Sequence, residues 1–251
     1  MGRDSSARSQ LSKSAMSPSS AMSVATDKNA TCAPYGIALP SELVKTVTVK
    51  FPVDKEQRCG IEVSPSKMIV LKVEKKGAGV KKIEFGDVIQ AMNGESMWNG
   101  SKPNVKKFAS AFKKLSAKGA TCEITVLRPV KALPADTKRL PEDQREEGCS
   151  YKLAVVYRIG KRPLELGIVL AFNKIYVMPT AEFTCAGRCL EPGDAILDAD
   201  GEPLTTLEDV ADKIVGPLQE KGYVTLLVEQ AEGPAQKSAV RLLLKSFKNR
   251  K

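Results

Sequence analysis

Side chains able to do covalent or acid–base chemistry are scarce in this chain, and the decisive fact is that its 251 residues include no histidine. That removes imidazole acid–base catalysis, Ser-His-Asp and Cys-His nucleophile activation, and nearly all catalytic zinc. Six cysteines remain: Cys32, Cys59, Cys122, Cys149, Cys185 and Cys189. None forms a CxxC pair, and the CxxxC spacing of Cys185 and Cys189 has no second pair to complete a metal site. The Ser-rich start has no apolar run of a secretory leader, so reduced, mostly buried thiols in a cytosolic protein are expected. No run of apolar residues is long enough to span a bilayer. No cofactor or metal is called for, and a non-enzymatic protein is expected.

What the chain does have is a repeated set of backbone-defining residues. Cys59-Gly60-Ile61 recurs 107 positions later as Leu166-Gly167-Ile168. Ile83-Glu84-Phe85-Gly86-Asp87-Val88-Ile89 recurs as Leu190-Glu191-Pro192-Gly193-Asp194-Ala195-Ile196, Asn93-Gly94-Glu95 as Asp200-Gly201-Glu202, and Met97 as Leu204. Glycines and apolar residues held in register mark turns and core contacts of a duplicated fold.

The elements follow the same order twice. An alternating run over Leu43–Phe51 predicts a strand, Gly60 opens a short one at Ile61–Val63, and further strands are expected at Met68–Val73 and Asp87–Met92. Asn93-Gly94 is a hairpin-turn signal. Asn104 caps a helix with Val105, Phe108, Ala109, Phe112 and Leu115 at helical spacing, Gly119 stops it, and Cys122–Leu127 is a last strand. The second copy predicts strands at Lys152–Ile159, Ile168–Leu170, Ile175–Val177, Ala195–Ala199 and Tyr223–Glu229. Its helix is capped by Thr206 and cut short at Gly216-Pro217. The expected organisation is a disordered Ser-rich segment (1–40), copy one (41–130), a charged semi-stiff linker (131–149), copy two (150–231) and a basic tail (232–251). The tail reads as either an extra strand or an amphipathic membrane-facing segment. Met1-Gly2 with Ser6 matches the minimal myristoylation pattern, and Ser17-Pro18 a proline-directed phosphosite.

Charge is unequally shared. Residues 41–130 hold 17 basic and 9 acidic side chains, residues 150–232 hold 8 and 13, and the last 19 residues add 6 basic and none acidic. The net +10 therefore sits on the first copy and the tail. A field of that sign favours anionic partners.

This order (strand, apolar-Gly-apolar loop, short strand, Gly-Asp-φ-Ile strand, Asx-Gly turn, capped helix, strand) resembles a PDZ domain, present twice. The resemblance implies a mainly β fold with some α: two tandem, partly open antiparallel β-barrels, each with about two helices. It implies a scaffold or adaptor whose grooves take C-terminal or internal peptide segments as an added strand. The terminal carboxylate would sit at the backbone N–H groups of Cys59, Gly60 and Ile61 beside Arg58, and of Leu166, Gly167 and Ile168 beside Lys161 or Arg162. Glu62 and Val63, and Val169 and Leu170, would pair with the peptide. Val105, Ala109 and Phe112, and Leu207, Ala211 and Ile214, would line the grooves from the helices. Apolar Val105 (or Phe108) and Leu207 at the helix start imply ligands of the hydrophobic C-terminal type. Against this stand Glu165, which would repel a carboxylate, and Pro65, which shortens the edge. The alternative is a peripheral adaptor on anionic lipid, using Lys75, Lys76, Lys81, Lys82, Lys106, Lys107, Lys113, Lys114 and the basic tail. Nucleic acid is a poor fit for a chain with so few aromatics and no reader motif.

Overall fold

The computed structural model describes residues 39–136 and 138–248. The myristoylation pattern, Ser17-Pro18 and nearly all of the expected disordered segment lie outside them. Leu39, at the end of that segment, is 1% exposed and sits in the core.

In the first half the strands are β1 (Val44–Pro52), β2 (Ile61–Val63), β3 (Val70–Val73) and β4 (Val88–Met92), then three two-residue strands, β5 (Glu95–Ser96), β6 (Trp98–Asn99) and β7 (Lys102–Pro103). Helix α1 (Val105–Lys118) and strand β8 (Thr121–Pro129) complete it. The alternation read from the sequence shows in β1, where Val47, Val49 and Phe51 turn inward and Thr48 and Lys50 face solvent. β1, β8, β4 and β5 form one antiparallel sheet. The β2–β3 hairpin is tied to it through Val70 N–H to the Asp87 carbonyl (2.8 Å) and Gly86 N–H to the Val70 carbonyl (2.9 Å). α1 is capped as expected: Asn104 Oδ1 accepts the Lys107 amide at 2.9 Å, and Gly119 closes it in the left-handed region at φ 61°.

The second half runs β9 (Ala132–Pro134), β10 (Cys149–Tyr157), β11 (Ile168–Ala171), β12 (Lys174–Val177), β13 (Ala195–Ala199), β14 (Glu202–Pro203), a π-helical turn (Ala211–Val215) continuing into α2 (Gly216–Glu220), β15 (Tyr223–Ala231) and α3 (Pro234–Lys248). Its sheet has the order β11-β12-β13-β15-β10-β9, with β14 alongside β13. The helix expected to stop at Gly216-Pro217 runs through them. Proline has no N–H and clashes with the carbonyl four residues back, and the π turn just ahead of Pro217 changes the bonding register there.

The repeated residues hold equivalent joints. Asp87 accepts the Glu84 amide and Asp194 the Glu191 amide, both at 2.9 Å. Asn93 Oδ1 takes the Glu123 amide at 2.8 Å, and Asp200 Oδ1 the Thr225 amide at 3.0 Å. The first of these last two joints spans 30 residues and the second 25, reflecting the shorter second helix.

Two expectations are corrected. The sheets are open, not barrels: β2 and β11 are three and four residues long, and among the described residues no strand pairs with their outer edges. The second helix expected in the first half is replaced by tight turns, and in the second half the further helix is α3, in the tail. In the first half Gly77 and Gly79 accept amides from Val80, Lys82 and Ile83 and then the chain departs.

The two halves share one core. Leu39, Leu43, Ile69, Phe85, Val88 and Val130 pack in the same cluster as Val155, Tyr157, Ile159, Cys185 and Leu190. Arg188 ties them further, donating to the carbonyls of Phe85 (3.0 Å), Val130 (3.4 Å) and Pro129, with its guanidinium 5.6 Å from the centre of the Tyr157 ring. Tyr157 Oη donates to the Leu43 carbonyl at 3.1 Å. The segment 131–149 lies along the second half: β9 pairs with β10, Leu140 is buried, and Arg139 binds Asp198 and Thr225. Of the two readings of the basic tail, the extra strand is overturned up to Lys248. The tail there is helix α3, anchored by Gln236 Nε2 to the Glu147 carbonyl at 2.8 Å.

Candidate functional site

The two short edge strands present backbone groups outward in matching register. In β11, Ile168 faces Val177, and the Met178 amide bonds the Gly167 carbonyl at 2.8 Å. That bond lies just outside the pair, so Ile168 is at a non-hydrogen-bonded position, and its N–H and C=O point away from β12. Leu170, two residues on, points its backbone groups the same way. In β2, Ile61 faces Val73 and the Glu74 amide bonds the Gly60 carbonyl at 2.7 Å, which aims the Ile61 N–H outward by the same logic. Each strand follows an apolar-Gly-apolar loop, and among the described residues the amides of Cys59, Gly60, Leu166 and Gly167 donate no hydrogen bond.

The two copies then differ. In the first, β2 is three residues long and its pairing with β3 shifts register between Glu62 and Val63, so the straight edge is short. Burial pushes the Cys59 thiol up to about 12, with the nearby Cys122 adding to the rise and the Ile61 N–H opposing it. Gly60, at φ 67°, is required by its own chain: a Cβ there would lie 2.4 Å from Gly77 Cα. Close ligand approach is therefore not the constraint that fixes glycine at this position. Behind β2, Phe108 and Phe112 are buried with Cys59, Ile61, Val63 and Val105 packed on the same cluster, while Ala109 faces outward and Arg58 and Glu62 are exposed.

In the second copy the position of Cys59 is taken by Leu166, and β11 pairs with β12 without a register shift. Gly167 has ordinary φ, and a Cβ there would meet only Met178 Cβ at 3.3 Å. Ile168, Leu166 and Val210 pack on the same core cluster as buried Ile214 and Leu218. Val169 is half-buried and Ala211 exposed. The helix starts after Leu207, which is 44% exposed, and Thr206 caps it with Asp209 reciprocally: Asp209 Oδ2 accepts the Thr205 and Thr206 amides at 2.8 Å. Those amides, together with Lys213, hold the Asp209 carboxyl well below its usual range. Leu170 is 41% exposed on the edge, and Phe172, at the hairpin tip with Asn173 (φ 49° and 59°), is 82% exposed. Nothing in the repeat singled out Phe172; its signal was the apolar residue in the Phe172-Asn173 turn.

Of the proposed charge partners, Arg162 is turned to the first half, donating to the Leu71 carbonyl at 3.2 Å and lying 3.8 Å from Glu62. Lys161 and Glu165 are exposed. The eight lysines of the lipid reading split between two places. Lys75, Lys76, Lys81 and Lys82 are exposed on the turns after β3, with Lys75 3.7 Å from Glu182. Lys106, Lys113 and Lys114 are exposed on α1, and Lys107 is held by the Ser96 carbonyl (2.9 Å) and Glu95 (3.4 Å). Among the described residues one group has metal-ligand types: Glu146, Cys149 and Glu229, with ligand atoms within 4.8 Å of one another. The ammonium of Lys174 already bridges its two carboxylates at 2.6 and 2.7 Å, and those bonds raise the Lys174 pKa against the opposing effect of burial. Cys149, its thiol raised by burial and by the two carboxylates, is a poor thiolate donor.

No protein-family model matches the chain, and no curated protein does. Among solved structures it is similar to INAD PDZ45 in complex with NG2 peptide, at 17% identity and a TM-score of 0.29, covering 75% of this chain and 91% of that one. It is also similar to the complex of INAD PDZ45 and NORPA CC-PBM, at 15% identity and a TM-score of 0.28, covering 75% and 93%. At TM-scores this low neither likeness bears on the ligand of this chain.

Proposed function

We propose that the chain is a non-enzymatic adaptor with two PDZ-like modules, whose working groove is the second, between β11 and the helix that runs through Gly216-Pro217. The observation that carries this is the outward N–H and C=O register of Ile168 and Leu170, continuous with the unbonded amides of Leu166 and Gly167. An extended peptide adds there as an antiparallel strand, and its terminal carboxylate takes the loop amides. Exposed Leu170 and Leu207 favour apolar ligand side chains. The first groove, whose edge is three residues long and shifts register between Glu62 and Val63, is the weaker of the two.

The test is a library of free C-terminal peptides screened against the full chain, with each selected sequence re-measured as its C-terminal amide. Selected peptides are expected to carry apolar last and third-from-last residues and to lose at least tenfold in affinity on amidation. Equal binding of acid and amide refutes the carboxylate site. Binding only to anionic vesicles, with no peptide selected, favours the lipid adaptor instead.

A further inference from the structure

Helix α3 stands over a cavity of about 1000 Å³ whose opposite wall includes Gly167, Ile168 and Val169 of the β11 edge. Its walls are apolar where the helix faces the sheet: Val240, Leu244 and Phe247 on α3, with Val169, Met178 and Pro179 opposite. None of the α3 residues is fully buried, so this apolar stripe is only half covered by its own protein. Along its rim the same helix sets Lys237, Arg241, Lys245 and Lys248. Lys237 is neutralised by Glu232 at 3.0 Å, whereas Arg241, Lys245 and Lys248 have no ion-pair partner among the described residues. On the acidic side, Asp194 is taken up by Gln230 Nε2 (2.9 Å) and the Glu191 amide (2.9 Å), which leaves only the Glu191 carboxylate uncommitted. An apolar chamber of this volume, at the top of the range for small-molecule sites, with three unpaired cations along one lip, is complementary to a molecule with an apolar tail and an anionic head.

We infer that this cavity is a binding site for a single-chain anionic amphiphile, a monomeric long-chain carboxylate in its simplest form, with the tail against Val240, Leu244 and Met178 and the head at Arg241, Lys245 and Lys248. Charge complementarity selects the head, and the apolar walls select the tail. The site shares Gly167, Ile168 and Val169 with the β11 edge, but its selectivity for head and tail rests on α3 and not on the peptide reading.

The experiment is isothermal titration of the full chain with sodium dodecanoate and sodium tetradecanoate below their aggregation concentrations, with methyl tetradecanoate as the neutral arm and phosphatidylserine vesicles as the membrane arm. The expected result is one-to-one carboxylate binding, tightening about fourfold per added methylene, with the ester at least tenfold weaker. The double variant R241E/K245E changes only exposed side chains, and a thermal melt verifies its fold. It brings carboxylate binding down to the ester level and leaves ester binding unchanged. Equal affinity for carboxylate and ester overturns the inference, as does indifference to the charge reversal. So does binding confined to vesicles, or capture of an acidic peptide by α3 without any binding of the free amphiphile.

Discussion

The register of β11 makes neighbouring residues answer opposite questions. Val169 lies opposite Tyr176 at the hydrogen-bonded position next to the Ile168–Val177 pair, so its N–H serves the sheet, while the Leu170 N–H serves whatever lies outside. Val169→Pro removes a ladder bond and strands the Tyr176 carbonyl. A net bond of about 1 kcal/mol plus a desolvated acceptor at about 1–3 kcal/mol gives a loss of roughly 2–4 kcal/mol. For a chain of this size that is a fall in melting temperature of about 5–15 °C. Leu170→Pro breaks no bond within the protein, and its stability should stay within about 1 kcal/mol of the parent. A peptide docked on the edge loses a donor and meets the pyrrolidine ring, which costs about 2 kcal/mol or more, roughly thirtyfold in affinity. Differential scanning calorimetry measures the first effect, and fluorescence anisotropy with a peptide selected from the library measures the second. A Leu170→Pro protein that is stable and binds that peptide at parental affinity would show that the ligand does not extend this sheet.

Three further outcomes follow from the geometry. Gly60→Ala, strained by positive φ and by Gly77, should cost about 1–3 kcal/mol or more in urea unfolding, whereas Gly167→Ala should cost less than about 1 kcal/mol; equal effects would contradict the asymmetry of the two loops. Arg188→Ala strips three backbone carbonyls of a charged donor and should destabilise by about 3 kcal/mol or more in one cooperative transition, and two separate transitions in the parent would disprove the shared core. The third concerns pH. Burial raises Cys122 from 9.0 to about 11 and Cys59 and Cys189 to about 12. Above pH 9 the unfolded chain therefore gives up protons that the native chain keeps. Stability should fall as pH rises from 9 toward 11, and native thiols should react slowly with a disulfide reagent at pH 8. A urea midpoint that is flat or rising over that range would refute the burial of these thiols.

Most strand positions were legible because the alternation is local: β1, β2, β4, β13 and β15 fall within two residues of where the pattern puts them. The caps at Asn104 and Thr206 and the stop at Gly119 were legible for the same reason. The failures were tertiary. Pro217 in a helix is readable only once the π turn ahead of it is seen. The need for glycine at position 60 depends on Gly77, seventeen residues on. The repeat sets Gly60 and Gly167 at equivalent positions, although only Gly60 has positive φ and is crowded by Gly77. The tail's ambiguity also had a physical source. Val240, Leu244 and Phe247 suit a helical stripe, but only the sheet opposite decides what that stripe faces.

Because Leu43, Phe85 and Val130 are seated among residues of the second half, neither half is a severable part. A protease cut or an expression boundary placed in 131–149 would uncover a matched pair of greasy surfaces and release β9 from its neighbour. Half-length proteins should aggregate or require one another in trans, like the fragments of a split reporter. Ligands held on the two edges would sit at a set distance and angle, as on the jaws of a caliper.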